Sequence, residues 1–284
     1  MTNPFLILGS NGQLGKQFSK DLATRNIPFN APDEKDCDIT SIDTLSRFID
    51  SVKPSVIINC AAYNAVDLAE QQHETATLIN TTAVKNIGSL CADKKIFLVH
   101  YSTDYVFDGA KGSLYVESDL PNPLNTYGKS KWGGEEAVLS SGAKHLLLRT
   151  SWVFGNGMQN FIHKMLQWSQ KSPVLKLTSD EVSVPTSTID LVDFTLRAID
   201  KGLTGLYHLT NSGYASRYEW GRYIAEKLSL TSTIIPVPMS EFPSPARRPL
   251  FSAMSNKKLQ TDLGVIMPDW RDAVDRFLLE YPVK

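Results

Sequence analysis

Tyr127 and Lys131 stand four residues apart in Tyr127-Gly128-Lys129-Ser130-Lys131. On a helix such positions share a face one turn apart, so the spacing predicts the Lys131 ammonium close to the Tyr127 phenol. A free phenol titrates near ~10, and a neighbouring cation favours the phenolate and lowers that value. Such a phenol donates a proton readily to the alkoxide that forms when hydride reaches a carbonyl. Taken alone, Tyr-x-x-x-Lys is equally an exposed helix pair. Upstream, an apolar run from Ile96 to Val99 ends in His100-Tyr101-Ser102-Thr103-Asp104-Tyr105-Val106-Phe107. Ser102 and Thr103 both offer a hydroxyl that could hydrogen-bond the same carbonyl.

A second chemical signal lies near the start. Phe5-Leu6-Ile7-Leu8 runs into Gly9-Ser10-Asn11-Gly12-Gln13-Leu14-Gly15, a G-x-x-G-x-x-G turn that precedes a helical pattern through Phe18 and Leu22. Glycines between a first strand and a first helix allow a tight turn and close approach of backbone to a pyrophosphate. The helix N-terminus then aims free N–H groups at the anion. Such sites also use an acidic residue after the second strand for the ribose hydroxyls. Asp33 is the candidate, with Lys35 nearby, and these residues do not separate NADP from NAD. Asp38 could contact an adenine, or Thr40 could simply cap the next helix. Asn59-Cys60-Ala61-Ala62-Tyr63-Asn64 follows another apolar run, and its small residues would let a cofactor lie against the backbone.

The elements that must position these groups alternate. Phe5–Leu8, Val56–Ile58, Ile96–Val99 and His145–Leu148 read as buried strands, with Ile27–Ala31 a weaker one. Ile42, Leu45, Ile49 and Val52, then Ala76, Ile79, Ala83, Ile87 and Leu90, step at helical period. Strands alternating with helices imply an α/β, doubly wound parallel sheet covered on both faces. Residues 1–150 are the expected cofactor-binding domain, with later contributions near 187–210. Residues 151–284 mainly form a smaller substrate-binding lobe, and the boundary is discontinuous. In that part helices are expected over Asn160–Trp168, after a Ser187 cap, and from a Ser216/Glu219 capping box towards Lys227. Gly205–Leu209 reads as a strand. Five prolines between Pro236 and Pro249 exclude regular helix. Leu259–Leu263 reads as a helix stopped by Gly264, and Trp270–Tyr281 as a last amphipathic helix.

Bulk properties narrow the function class. The 284 residues carry 29 Lys+Arg against 30 Asp+Glu, a formal charge of -1, which lacks the basic footprint of a nucleic-acid binder. No apolar stretch nears the ~20 residues of a membrane span, and no signal peptide is visible. Cys37, Cys60 and Cys91 are odd in number and far apart, as expected of reduced thiols in a cytoplasmic protein.

The motifs GSNGQLG, NCAAYNAVDLAE, VHYSTDYVFDG, PLNTYGKSKWGGE, LLRTSWVFG, GLYHLTNSG and SPARRP, in this order over essentially the whole chain, resemble the extended short-chain dehydrogenase/reductase family. The likeness is strongest to its branch that reduces dTDP-linked 4-keto sugars. The resemblance implies a Rossmann-like fold and hydride transfer from NADPH or NADH to C4 of a dTDP-4-keto-6-deoxy-L-sugar, with dTDP-L-rhamnose the favoured product. NADPH is favoured through the resemblance alone. It makes Tyr127 the general acid, Lys131 its partner and a ligand of the nicotinamide ribose, and Thr103 the group that polarises the carbonyl. Gly9, Gly12, Gln13, Leu14 and Gly15 would line the pyrophosphate, Asp38 and Ile39 the adenine, and Ala62, Tyr63 and Asn64 the rest of the cofactor. Thr103, Asp104 and Trp152 would meet the sugar, although a tryptophan after an apolar strand is also ordinary core. Arg247 and Arg248 would grip the diphosphate, or form a solvated basic pair. A homodimer is a candidate assembly. Some relatives bind magnesium, but no carboxylate cluster here suggests a metal.

The chain departs from the family in Asp180-Glu181-Val182-Ser183-Val184-Pro185-Thr186, where Glu181 and Ser183 replace the usual Gln and Gly beside the substrate. Two other functions compete. Dehydratases of this fold use Asp followed by Glu after the threonine, whereas Tyr105 follows Asp104 here. Epimerases use the same tyrosine and lysine. A non-catalytic reading, resemblance to the regulatory subunit of methionine adenosyltransferase, is opposed by the full set Thr103, Tyr127 and Lys131.

Overall fold

The computed structural model describes residues 3–157 and 159–280. In chain order, β1 (Phe5–Leu8) leads into α1 (Gln13–Thr24), β2 (Phe29–Asn30), α2 (Ile42–Val52) and β3 (Val56–Asn59). Short helices α3 (Val66–Ala69) and α4 (His73–Thr77) precede α5 (Ala83–Lys94), β4 (Phe97–Thr103), α6 (Thr126–Ser140) and β5 (His145–Thr150). Then come β6 (Val153–Phe154), α7 (Phe161–Ser169), β7 (Val174–Thr178), β8 (Val182–Ser183), β9 (Thr186–Ser187), α8 (Thr188–Asp200) and β10 (Gly205–His208). The last stretch holds β11 (Ala215–Ser216), α9 (Arg217–Lys227), β12 (Thr233–Val237), α10 (Lys257–Leu263) and α11 (Trp270–Glu280).

Six parallel strands form the central sheet in the order β10-β5-β4-β3-β1-β2. Side chains alternate between its faces. Ile7 and Ile58 pack with Phe18 and Leu22 of α1 and Leu191 of α8. Leu6, Leu8 and Ile57 pack on the other side with Leu45 and Ile49 of α2 and Ile87 of α5. Burial on both faces is why these strands read as unbroken apolar runs. A separate apolar cluster, built on Phe154, Met165, Leu177, Trp220, Trp270 and Phe277, draws on the second half of the chain.

Three local departures from the sequence pattern shape the site. β4 continues past its apolar run through Ser102 and Thr103, which pair in register with Arg149 and Thr150 of β5. The helical period from Ala76 to Leu90 runs through a continuous helical stretch, but a π turn at Leu78–Thr82 interrupts its α geometry between α4 and α5. That turn aims Asn80 inwards. Its amide accepts from the Tyr63 backbone N–H (2.8 Å) and donates to the Tyr63 carbonyl (3.0 Å) and to Ser130 Oγ (2.9 Å). Such π turns recur at functional sites. Third, the proline-rich segment begins with β12, paired in parallel with β7 in a two-stranded sheet whose edge tolerates Pro236.

Elsewhere the caps fall where the sequence places them. Ser187 accepts from the Ile189 N–H at 3.2 Å, Ser216 and Glu219 form a capping box, and Gly264 ends α10 at φ +73. The weak strand shrinks to the two residues of β2, and α11 is described to Glu280, with Tyr281 outside the described residues. Cys37, Cys60 and Cys91 are free thiols. No helix among the described residues is long and apolar enough to cross a membrane.

Candidate functional site

The glycine turn is sterically committed. Gly9 sits at φ +75, and a Cβ on it would lie 2.5 Å from the Ala61 backbone nitrogen. A Cβ on Gly15 would lie 2.4 Å from the Gly9 carbonyl oxygen. Only glycine lets β1, the turn and the end of β3 approach this closely. Gly12 caps α1 without a side-chain hydrogen bond, leaving first-turn N–H groups for an anion. Beside it runs a cavity of about 280 Å³. Gly9, Ser10 and Gly12 line it, as do Asp33, Asp38 and Ile39, and Cys60, Ala61, Ala62 and Asn64. This shape and donor set fit a dinucleotide. Gln13, Leu14 and Gly15 form the first turn of α1 rather than the cavity wall. Thr40 is not a helix cap: Ser41 caps α2, while Asp38 accepts from the Thr40 N–H (2.8 Å) and hydroxyl (2.7 Å). The Tyr63 ring turns away, its hydroxyl donating to Gln72 at 3.0 Å.

Helix α6 is fixed at its first turn. Asn125 accepts from the Gly128 N–H at 2.8 Å, and Glu70 accepts from the Thr126 N–H at 2.7 Å. A Cβ on Gly128 would meet the Tyr105 carbonyl oxygen at 2.3 Å, so the glycine sets how close α6 comes to the 104–106 turn. Tyr127 is half-buried, its ring edge-on to Tyr105 at 5.8 Å and its hydroxyl 3.5 Å from Asn64 Oδ1. Its phenol is not lowered, as the spacing predicts, but pushed up to about 12. Burial is the main cause, opposed by the Thr103 hydroxyl and reinforced by the Asp104 carboxylate. Lys131, 2% exposed, instead donates to the Tyr101 carbonyl at 2.6 Å. Burial pulls its ammonium down to about 8, opposed by Glu135 and Cys60.

Successive residues of a strand face opposite sides, which separates Ser102 from Thr103. Thr103 is on the tyrosine's side, accepting from the Tyr105 N–H (3.1 Å) and donating to Asp104 (3.2 Å). Asp104 does not line the neighbouring cleft but lies buried behind Thr103. Its carboxylate accepts from Ser183 (2.7 Å) and Ser252 (2.5 Å), and burial pushes it up to about 6 against these hydrogen bonds. Ser183, one of the two departures from the family pattern, thus supports Asp104.

The other departure, Glu181, opens on a second cavity of about 780 Å³. Its walls include Trp152, Phe161, Trp220, Arg217, Arg248 and Asp67. Trp152 stands at φ +42, a strained backbone for a bulky residue. Its ring stacks on Trp220 at 5.7 Å, and the Arg217 guanidinium lies 3.6 Å over it. Arg217 also faces Glu181 at 3.6 Å. Arg248 forms a two-point ion pair with Asp67 (2.7 and 3.0 Å), whereas Arg247 is exposed and outside the cavity wall, its backbone carbonyl accepting from Asn125. The two arginines are therefore not an equivalent pair. Sequence reasoning passed over Arg217, Asp67, Asn80 and Phe161. Arg217 reads only as the first residue after a helix cap and Asp67 only as one position of the NCAAYNAVDLAE segment, while nothing local marks Asn80 or Phe161. Among the described residues no group of three or more His, Cys, Asp or Glu could hold a metal ion.

Known proteins resemble this chain over nearly its whole length. A family model described as RmlD substrate binding domain matches residues 3–283. The dTDP-4-dehydrorhamnose reductase of Burkholderia thailandensis is 37% identical, covering 95% of this chain and 96% of that protein. A dTDP-4-dehydrorhamnose reductase structure from Clostridium acetobutylicum is similar with a TM-score of 0.96 and 35% identity, covering 99% of this chain and 100% of that one. The Bacillus anthracis dTDP-4-dehydrorhamnose reductase, solved in complex with NADP, gives a TM-score of 0.95 at 33% identity, again covering 99% of this chain and 100% of that one.

Proposed function

This chain belongs to the family of the RmlD substrate binding domain, and on that footing we propose that it reduces the C4 keto group of dTDP-4-dehydrorhamnose to give dTDP-L-rhamnose. It is an NAD(P)H-dependent oxidoreductase with a Rossmann-type fold. The observation that carries the reading is the Tyr127 hydroxyl, which faces the Thr103 hydroxyl and lies 3.5 Å from Asn64 Oδ1 on the wall of the glycine-lined cavity.

NADPH or NADH, when bound, supplies the hydride. The protein's own part is proton delivery and charge control. A phenol raised to about 12 is fully protonated at neutral pH, so Tyr127 holds the proton that the C4 oxygen needs as negative charge builds on it. Thr103 would hydrogen-bond that oxygen, and Lys131 would bind the nicotinamide ribose and favour loss of the phenolic proton. Gly9 and Gly12 would let the pyrophosphate approach the backbone, and the first-turn N–H groups of Gln13, Leu14 and Gly15 would hold it. Asp38 and Ile39 would flank the adenine, with Ala62, Tyr63 and Asn64 along the cofactor. Trp152 and Arg248 would take the sugar and diphosphate, with Asp104 acting through Thr103. The division into a cofactor domain (1–150, with 187–210) and a substrate lobe (from 151) is part of this proposal, as are a cytoplasmic location and a homodimer.

The test supplies the purified chain with the dTDP-linked keto sugar and NADPH or NADH, follows nicotinamide absorbance and identifies the product by NMR. Turnover to dTDP-L-rhamnose is expected, and Tyr127→Phe should lower kcat roughly 10²- to 10⁴-fold while cofactor binding stays unchanged. Full-rate turnover by Tyr127→Phe would falsify the assignment of the proton donor.

A further inference from the structure

One turn beyond Lys131, α6 carries a second buried charge. Glu135 is 1% exposed and grips Arg149 of β5, itself 3% exposed, through two hydrogen bonds of 2.8 and 2.6 Å. A buried ion pair is a poor source of stability, because desolvating two charges cancels most of their attraction. The pair's place in the fold suggests another use. Residues 131 and 135 share one face of the helix, and both turn inwards. Arg149 is the register partner of Ser102, so the pair joins α6 to β5 beside the strand that offers Lys131 the Tyr101 carbonyl.

The groups facing Lys131 from each packed element leave one anion. From β4 comes His100, which burial keeps neutral, and the Tyr101 carbonyl. From the end of β3 comes Cys60, a thiol that burial keeps protonated. The Tyr127 phenol on the same helix is protonated too. Arg149 from β5 is a cation, engaged with Glu135 and 5.0 Å over the Phe107 ring. We propose that Glu135, fixed by Arg149, is a positioning residue for the reaction, acting as the counter-charge that keeps Lys131 an ammonium. This rests on the roles given above to Tyr127 and Lys131. The electrostatics agree in sign, since burial pulls the Lys131 ammonium down to about 8 and Glu135 opposes it.

The test reads Lys131 directly, by pH titration of lysine Cε resonances in the whole protein, with Lys131→Met to assign the signal. In Glu135→Gln the Lys131 midpoint should fall by roughly one unit, and the alkaline limb of kcat/KM should move the same way. Glu135→Asp should restore both. Glu135→Gln leaves the Arg149 guanidinium buried without its carboxylate and could fail to fold, so the charge-neutral double variant Glu135→Gln with Arg149→Met is titrated beside it and should also titrate low. An unchanged Lys131 midpoint in any folded variant lacking the Glu135 carboxylate overturns the proposal, however much stability is lost. A wild type that reduces no keto sugar rejects the reaction instead, and the titration still decides on Glu135.

Discussion

Burial dominates the chemistry of single residues at this site. Tyr127 and Lys131 both move towards their neutral forms, the phenol to about 12 and the ammonium to about 8, because desolvation by the packed protein outweighs the neighbouring polar groups. Asp104 moves the same way, to about 6. Its effect on stability has a definite sign. Between the ordinary carboxylate value near 3.8 and about 6 the folded chain holds a proton that the unfolded chain has lost, so this contribution is fully present below the lower value and disappears as pH rises through the upper one. Unfolding with urea across that window should show the wild type losing roughly 3 kcal/mol from this group, a slope that Asp104→Asn removes. Parallel pH profiles for the two proteins would show that Asp104 titrates normally. The pairing of Tyr127 with Lys131 could be proposed from the sequence because their spacing is local, whereas the choice of Thr103 over Ser102 came from the family resemblance. The ionisation of these groups was not legible, because it depends on how deeply α6 and β4 are packed. Arg217 escaped for a similar reason: only the fold brings it over Trp152 and beside Glu181.

At the level of elements, α6 is a carrier whose position is set by what it lacks. Gly128 faces the Tyr105 carbonyl, and Gly134 would bring a Cβ to 2.3 Å from the Asn80 carbonyl oxygen. The glycines of YGKSKWGGE therefore pack the helix against the 104–106 turn and the π turn. Gly128→Ala forces backbone apart, and such overpacking costs about 1–3 kcal/mol. Since Tyr127 is the adjacent residue, kcat should fall more than cofactor affinity, with a lower Tm in the same sample. A variant with wild-type kcat and Tm would show that α6 moves freely there. The long strands, α1 and α2 were legible from apolar runs and helical periods and α8 from its Ser187 cap, whereas α6 lacks an apolar stripe and was implied only by the Tyr127/Lys131 spacing. The π turn was not legible, since one extra residue inside a continuous apolar period leaves no mark. β6, β8, β9 and β11 span two residues each, too short for any alternation to show.

Across the whole molecule, several ion pairs join the sheet and its helices to the second half of the chain, and one of them lies at the larger cavity. Asp67 of α3 holds the Arg248 guanidinium at 2.7 and 3.0 Å, and both line the larger cavity. That hydrogen bond is why the Asp67 carboxyl lies below its ordinary value, so the pair persists through neutral pH and weakens only in acid. Its worth to stability is small, because Asp67 is 44% exposed and solvent screens the attraction. Its effect on ligand binding is larger. A diphosphate entering the cavity must share or take over the guanidinium that Asp67 already holds, and Lys164, Lys176 and Arg217 around it are the other cations. Asp67→Asn keeps the side chain's shape and removes the competing charge. It should lower KM for the nucleotide sugar several-fold with kcat nearly constant, and the gain should shrink as salt screens the cation. Arg248→Met should raise KM in both backgrounds. If Asp67→Asn raised KM instead, the carboxylate would be orienting Arg248 towards the diphosphate rather than withholding it, and Asp67 would act as a brace rather than a competitor.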